Sequence, residues 1–261
     1  MEAMLATKME ATRIAESDKP KIGFVKYAPM KTRYSLGDTT NEADANMDYH
    51  IQMITKEDIP RVLKFLRRFF FRDEPLNHSI QLIPEGEDST CVELEEYCMI
   101  SVEDNLSYMA VTTNGSIIGV QLNGKMEPLK DDEPEYISSC KNSKFKKILR
   151  LLRYIDLNVN RAGRFSGQNV IEIRILSVDS TWRGRGVAKA LMEKTIEIAK
   201  ERNFQILRCD CTSFFSGKLC EKFGFEICYE VKYADYVDEN GTPIFHPSPP
   251  HTAAVTYITK L

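Results

Sequence analysis

The spacing of apolar residues divides the chain unevenly. Over residues 1–48, single hydrophobes are scattered among Lys, Glu, Thr, Asp and Asn, and no face repeats at a helical or strand period. That texture predicts a mobile tail, with one folded domain from residue 49 to residue 261. From His50 the pattern changes. His50–Thr55 reads as a short strand, and Thr55 as the cap of a helix whose apolar residues Ile59, Val62, Leu63, Leu66, Phe69 and Phe70 share one face. Pro75 pushes Glu74 out of helical dihedrals, so this helix is expected to end at the Asp73-Glu74-Pro75 run. Residues 91–103 predict another helix. Ser107–Thr112 and Ile117–Lys125 predict two strands that turn back through Asn114-Gly115.

The second half alternates more regularly. An acidic loop over 131–142 leads into a helix of about four turns marked by Phe145, Ile148, Leu149, Leu152 and Ile155. Val170–Val178 is the strongest strand signal, rich in Ile and Val. A helix over 187–202, a strand over 204–211 and a helix over 213–223 stopped by Gly224 follow. Strands over 225–236 and 253–260 flank the Pro-rich segment His246-Pro-Ser-Pro-Pro-His251. This order predicts a mixed α/β domain.

Composition adds exclusions. With 35 Lys+Arg against 38 Asp+Glu the formal net charge is −3, which gives no global attraction to nucleic acid or an anionic membrane. No apolar run reaches the length of a membrane span. The seven cysteines are odd in number and lack the dense spacing of a secreted disulfide framework, so a reducing, cytoplasmic setting is expected. The four histidines are not grouped with cysteine at any metal-binding spacing, and no metal is expected. Cys209 and Cys211 fall in one predicted strand and are expected to face opposite ways, as ordinary core thiols.

The segment richest in chemistry runs from Leu176 to Ala188. A strand feeds a turn, Trp182-Arg-Gly-Arg-Gly186, that opens directly into an amphipathic helix. Unpaired N–H groups at a helix start, at the positive end of its dipole, bind anions, most often phosphate. Gly184 and Gly186 let backbone approach such a ligand, and Arg183 and Arg185 add charged donors. The segment has neither the GxxxxGK[ST] of a P-loop nor the GxGxxG of a dinucleotide fold.

Arg183–Ala188, R-G-R-G-V-A, resembles the R/Q-x-x-G-x-G/A signature of the GNAT N-acetyltransferase superfamily, and Glu221–Phe225, E-K-F-G-F, resembles its next motif. F-F-R-D-E-P-L-N at Phe70–Asn77 and K-F-K-K-I-L at Lys144–Leu149 are similar to the insect arylalkylamine N-acetyltransferases, as are L-S-V-D at Leu176–Asp179 and A-D-Y at Ala234–Tyr236. The resemblance runs from about residue 50 to the C-terminus. It implies the GNAT acyltransferase fold: a mixed, mostly antiparallel twisted sheet with two splayed parallel strands and flanking helices. It also implies acetyl-CoA as co-substrate, its pantetheine arm along Leu176, Ser177 and Val178 and its diphosphate on Arg183, Gly184, Arg185, Gly186, Val187 and Ala188. Glu74 becomes the general base, with Asp73 beside it to raise its pKa by like charge and to attract an ammonium substrate. Thr212 and Ser216 become candidate hydroxyl groups for the proton that the leaving thiolate needs. Phe215 excludes a tyrosine acid at its own position.

The expected reaction is acetyl transfer to dopamine, tyramine, octopamine, serotonin or tryptamine within a ternary complex, by a monomer without nucleic-acid or membrane partners. Roles in cuticle sclerotisation, pigmentation or monoamine inactivation follow from the resemblance alone. The alternatives are a polyamine or aliphatic amine acceptor, a longer acyl donor, or a CoA-binding module without turnover.

Overall fold

The computed structural model describes residues 49–86, 89–129 and 132–261. The expected tail, 1–48, lies outside the described residues, as does Asp131 at the start of the acidic loop. The strands are β1 (Tyr49–Met53), β2 (Tyr108–Thr112), β3 (Ile117–Lys125), β4 (Val170–Val178), β5 (Ile206–Cys211), β6 (Glu226–Lys232) and β7 (Ala253–Lys260). They form one seven-stranded sheet in the order β1-β2-β3-β4-β5-β7-β6. Every neighbouring pair is antiparallel except β4 and β5. This is the mixed, mostly antiparallel sheet with one splayed parallel pair and flanking helices that the resemblance implied.

The parallel pair is what makes a site. β4 and β5 hold register only from Val170 opposite Ile206 to Ile173 opposite Cys209. Beyond that point β4 continues to Val178 against β3, and β5 continues to Cys211 against β7, with no pairing between them. The sheet therefore opens into a V whose inner edge carries backbone groups without strand partners.

Helices cover both faces. The long helices are α1 (Ile59–Phe69), α3 (Val92–Met99), α5 (Ser143–Val159), α6 (Val187–Glu201) and α7 (Phe214–Lys222), with two short ones, α2 (Pro75–Ser79) and α4 (Glu135–Ser138). Helix α6 seats Val187, Ala190 and Leu191 on Tyr108, Ala110 and Ile118 of the hairpin. Gly119 of β3 permits this approach, since a Cβ there would lie 2.8 Å from Val187 Cγ1. On the opposite face, α1 and α5 bury Val62, Phe65, Leu66, Phe145, Leu149 and Leu151.

Most predicted elements form, and the departures have local causes. The Asp58 carboxylate accepts the Thr55 N–H at 3.0 Å, which caps the turn leading into α1. The hairpin turn closes with the Gly115 N–H on the Thr112 carbonyl at 2.9 Å and Gly115 at φ 86°. Helix α1 stops at Phe69, ahead of the expected Asp73-Glu74-Pro75 run, and the chain turns through 70–74 into helix α2, which was not expected and begins at Pro75 because the fixed φ of proline suits a first helical position. The strand predicted over 225–236 stops at Lys232 and gives way to a 3₁₀ turn over Tyr233–Asp235.

One expectation is overturned outright. Cys209 and Cys211 lie on the same side of β5, their sulfurs 3.5 Å apart. Strand side chains alternate with period two, so residues i and i+2 share a face.

Candidate active site

Glu74 is the capping residue of α2. Held at φ −66°, ψ 128° by Pro75, it places Oε2 on the Asn77 N–H at 2.7 Å. Its other oxygen accepts the Thr212 hydroxyl at 2.8 Å, across 138 residues of sequence. Burial holds the Glu74 carboxyl above the usual carboxylate range, against the opposing pull of the Asn77, Thr212 and Leu76 hydrogen bonds. Asn77 is itself buried and anchored by its side-chain amide to the Phe71 carbonyl at 3.0 Å.

Asp73, one residue earlier, does something else. It points outward and pairs with Arg183 at 3.2 Å, both side chains more than half exposed. The raised pKa of Glu74 is thus an effect of burial and not of a like charge at Asp73. The two residues expected to serve opposite ligands, an acid for the ammonium and an arginine for the phosphate, are partners of each other.

Glu74 and Thr212 stand in a cavity of about 140 Å³ whose apolar wall includes Phe70, Leu94, Tyr97, Phe145, Ile148 and Leu152. The polar wall follows β5. Arg208, Asp210 and Thr212 alternate onto the cavity side, so Arg208 lies about 13 Å along the strand from Thr212. Only 1% exposed, Arg208 meets Asp156 at 2.6 Å, Asp210 at 2.6 Å and Glu172 at 3.2 Å. Burial raises the Glu172 carboxyl to about 7, with Arg208 pulling the other way, and raises that of Asp156. None of these four residues was singled out in the sequence, where they are scattered charges; alternation along Arg208-Cys-Asp-Cys-Thr212 was the available signal.

Tyr233 was missed as well. Its hydroxyl donates to the Thr212 carbonyl at 2.7 Å and fixes the chain that carries the Thr212 side chain. Ser216 turns elsewhere: its hydroxyl donates to the Ser213 carbonyl at 2.8 Å within α7.

The glycine–arginine turn expected to bind an anion is open and presents mainly backbone. Gly184 and Gly186 hold φ 77° and 81°, and a Cβ on either would meet nothing within 4 Å. Gly186 caps α6, so the first N–H groups of a 15-residue helix, those around Val187 and Ala188, lie beside bare backbone. Arg183 is exposed, while Arg185 stacks its guanidinium 5.4 Å from the Trp182 ring. The turn adjoins the open edge of β4, where Leu176 and Val178 have no partner on β5. Ser177 is turned away from that edge, its hydroxyl committed to the Phe69 carbonyl at 3.0 Å and its main chain facing β3 opposite Val120. A bare helix start beside an unpaired strand edge fits a diphosphate followed by an amide-bearing arm.

The family model for the acetyltransferase (GNAT) family matches residues 74–225. This chain belongs to the GNAT acetyltransferase family. Its relatives by structure include arylalkylamine N-acetyltransferase 2 from Aedes aegypti, at 37% identity and TM-score 0.76, covering 81% of this chain and 98% of that one. A mosquito arylalkylamine N-acetyltransferase like 5b superposes with TM-score 0.73 at 26% identity, covering 82% of this chain and all of that one. Among curated sequences, N-acetylaspartate synthetase of Xenopus tropicalis is 40% identical over 60 residues. That match spans only 22% of either chain, so it speaks for a shared segment and not for a shared activity. GNAT enzymes use acetyl-CoA as co-substrate. Among the described residues no helix is long and apolar enough to cross a membrane.

Proposed function

We propose that the protein transfers acetyl from acetyl-CoA to the primary amine of an arylalkylamine, with Glu74 as general base. The observation that carries this reading is the half-buried Glu74–Thr212 pair in an aromatic- and aliphatic-walled cavity. An alkylammonium titrating near 10.4 presents on the order of one neutral molecule per thousand at neutral pH, a deficit of roughly 4–5 kcal/mol. A carboxyl held above its ordinary pKa is suited to take the excess proton.

Acetyl-CoA supplies the thioester. Its diphosphate rests on the backbone from Arg183 to Ala188, and its arm pairs along Leu176 and Val178, whose main-chain groups face away from β3. The Val178 N–H meets the carbonyl oxygen as charge develops there. Glu74 accepts the ammonium proton, and the apolar wall excludes water from the pair. Thr212, hydrogen-bonded to Glu74 and held by Tyr233, is the hydroxyl placed to return a proton to the thiolate. Ser216 supports α7 in this reading and takes no part in proton transfer. The similarity to an Aedes aegypti arylalkylamine N-acetyltransferase supports the choice of acceptor. Steady-state acetylation of dopamine and tyramine, followed as free CoA thiol, tests it. Turnover by the native enzyme with loss in Glu74→Gln supports the reading, and a variant keeping more than half of native kcat/KM overturns it.

A second reading is favoured by the polar wall. Asp156, Glu172 and Asp210 surround Arg208 on the cavity side, a setting for an acceptor whose far end carries a second cation or a hydrogen-bond donor. Comparing tyramine with phenethylamine, and agmatine with pentylamine, decides between them: agmatine as the better substrate would move the assignment to diamines.

A further inference from the structure

On the face of β5 away from the cavity, a second cluster of chemistry is left unused by acetyl transfer. Cys209 and Cys211 share that face, and α7 lays Cys220 over them. Sγ of Cys211 is 3.5 Å from Sγ of Cys209 and 3.6 Å from Sγ of Cys220, and all three sulfurs lie within 4.8 Å of one another. Sulfurs bound to one ion at the usual Zn–S length of about 2.3 Å with tetrahedral angles stand about 3.8 Å apart. The three thiols thus already occupy three corners of a soft-metal site. All three are free and buried, in surroundings where an extra hydrophobe would be the ordinary choice.

The geometry points to Cys209, Cys211 and Cys220 as a binding site for one thiophilic d¹⁰ cation, of the Zn²⁺, Cd²⁺ or Cu⁺ class, between β5 and α7. Each thiol gives up its proton as its sulfur ligates, so filling the site with a divalent ion releases three protons. Thiolate ligands select such ions over Mg²⁺ or Ca²⁺. The ion would join the strand end to the helix next to the transfer centre, because Cys211 directly precedes Thr212, whose hydroxyl bonds Glu74. Occupancy then couples to acetyl transfer through the position of Thr212. The distances among the sulfurs need little rearrangement for this, whereas the other four cysteines are not grouped as a three-thiol set among the described residues.

Cadmium is the probe. The full chain, reduced with a phosphine that is then removed under nitrogen, is titrated with Cd²⁺ while the ultraviolet thiolate-to-cadmium band is followed, for the native protein and for Cys220→Ser, Cys209→Ser and Cys140→Ser. The expected result is one saturable band per chain, weakened at least about tenfold in apparent affinity by C220S and by C209S and untouched by C140S. Thermal unfolding of each variant without metal shows whether it is folded, and C220A serves if C220S is not. Absence of a saturable band in the native protein overturns the proposal, and so does a band that survives C220S and C209S but falls with C140S. In parallel, one equivalent of Cd²⁺ lowers kcat of the native enzyme and leaves that of C220S unchanged. Because the band is read without any substrate, failure of the metal site and failure of the proposed acetyl transfer are told apart.

Discussion

The two ends of the site are made of different materials. The proposed anion end is a continuous six-residue segment, Arg183–Ala188, in which a turn with two positive-φ glycines runs into the start of α6 and presents mainly backbone. The proposed amine end is assembled from α2, β4, β5 and α5, with Glu74 meeting a hydroxyl 138 residues away and Arg208 enclosed by carboxylates from three elements. The first is tuned by solvent and local dihedrals. The second is tuned by burial, which raises both Glu74 and Glu172 and makes each contact costly to lose.

Substitutions should separate the two ends by size of effect. Arg208→Met leaves three carboxylates facing an apolar group, and the loss of one partner from a buried charge network costs about 3–5 kcal/mol. Chemical denaturation should register that drop, and a loss below about 1 kcal/mol would show the network to be solvated. Glu74→Gln comes next: kcat/KM should fall by about 10²-fold or more while CoA affinity holds, in line with the removal of a general base. Gly186→Val forces a branched side chain into left-handed backbone, at about 1–2 kcal/mol, so the Kd for CoA should rise roughly tenfold with little change in the KM of the amine. An unchanged Kd would detach the turn from CoA binding.

Thr212→Val probes a contact inside the amine end. The hydroxyl donates to Glu74 and favours its ionised form, so removing it raises the carboxyl pKa further. A base works only when ionised, and activity should therefore fail at a higher pH on the acid side of the profile, with kcat down about tenfold. A limb that moves to lower pH would contradict the hydrogen bond's direction. The smallest effect belongs to Asp73→Asn. An exposed pair with Arg183 is worth about 0–1 kcal/mol, so kcat/KM at moderate salt should change by less than about threefold.

Local order carried the turn and most elements. The glycine–arginine turn, the Asn114-Gly115 hairpin and the helical face of Ile59–Phe69 depend on neighbours in sequence, and these the pattern of residues determined by itself. Glu74 was readable through the D-E-P-L-N motif, and Pro75 dictated its extended dihedrals. What partners each charge met was decided only by the tertiary structure. Asp73 and Glu74 are adjacent and chemically alike, yet one is carried to the surface beside Arg183 and the other, half-buried at the start of α2, faces the cavity and Thr212. Arg208, Asp210 and Tyr233 became site residues, and Cys209, Cys211 and Cys220 one cluster, because strand alternation and helix placement brought distant side chains to a common face. Sequence sets which groups are available and how the backbone bends; burial and long-range contact set their protonation and their roles, since both depend on what surrounds a group in space.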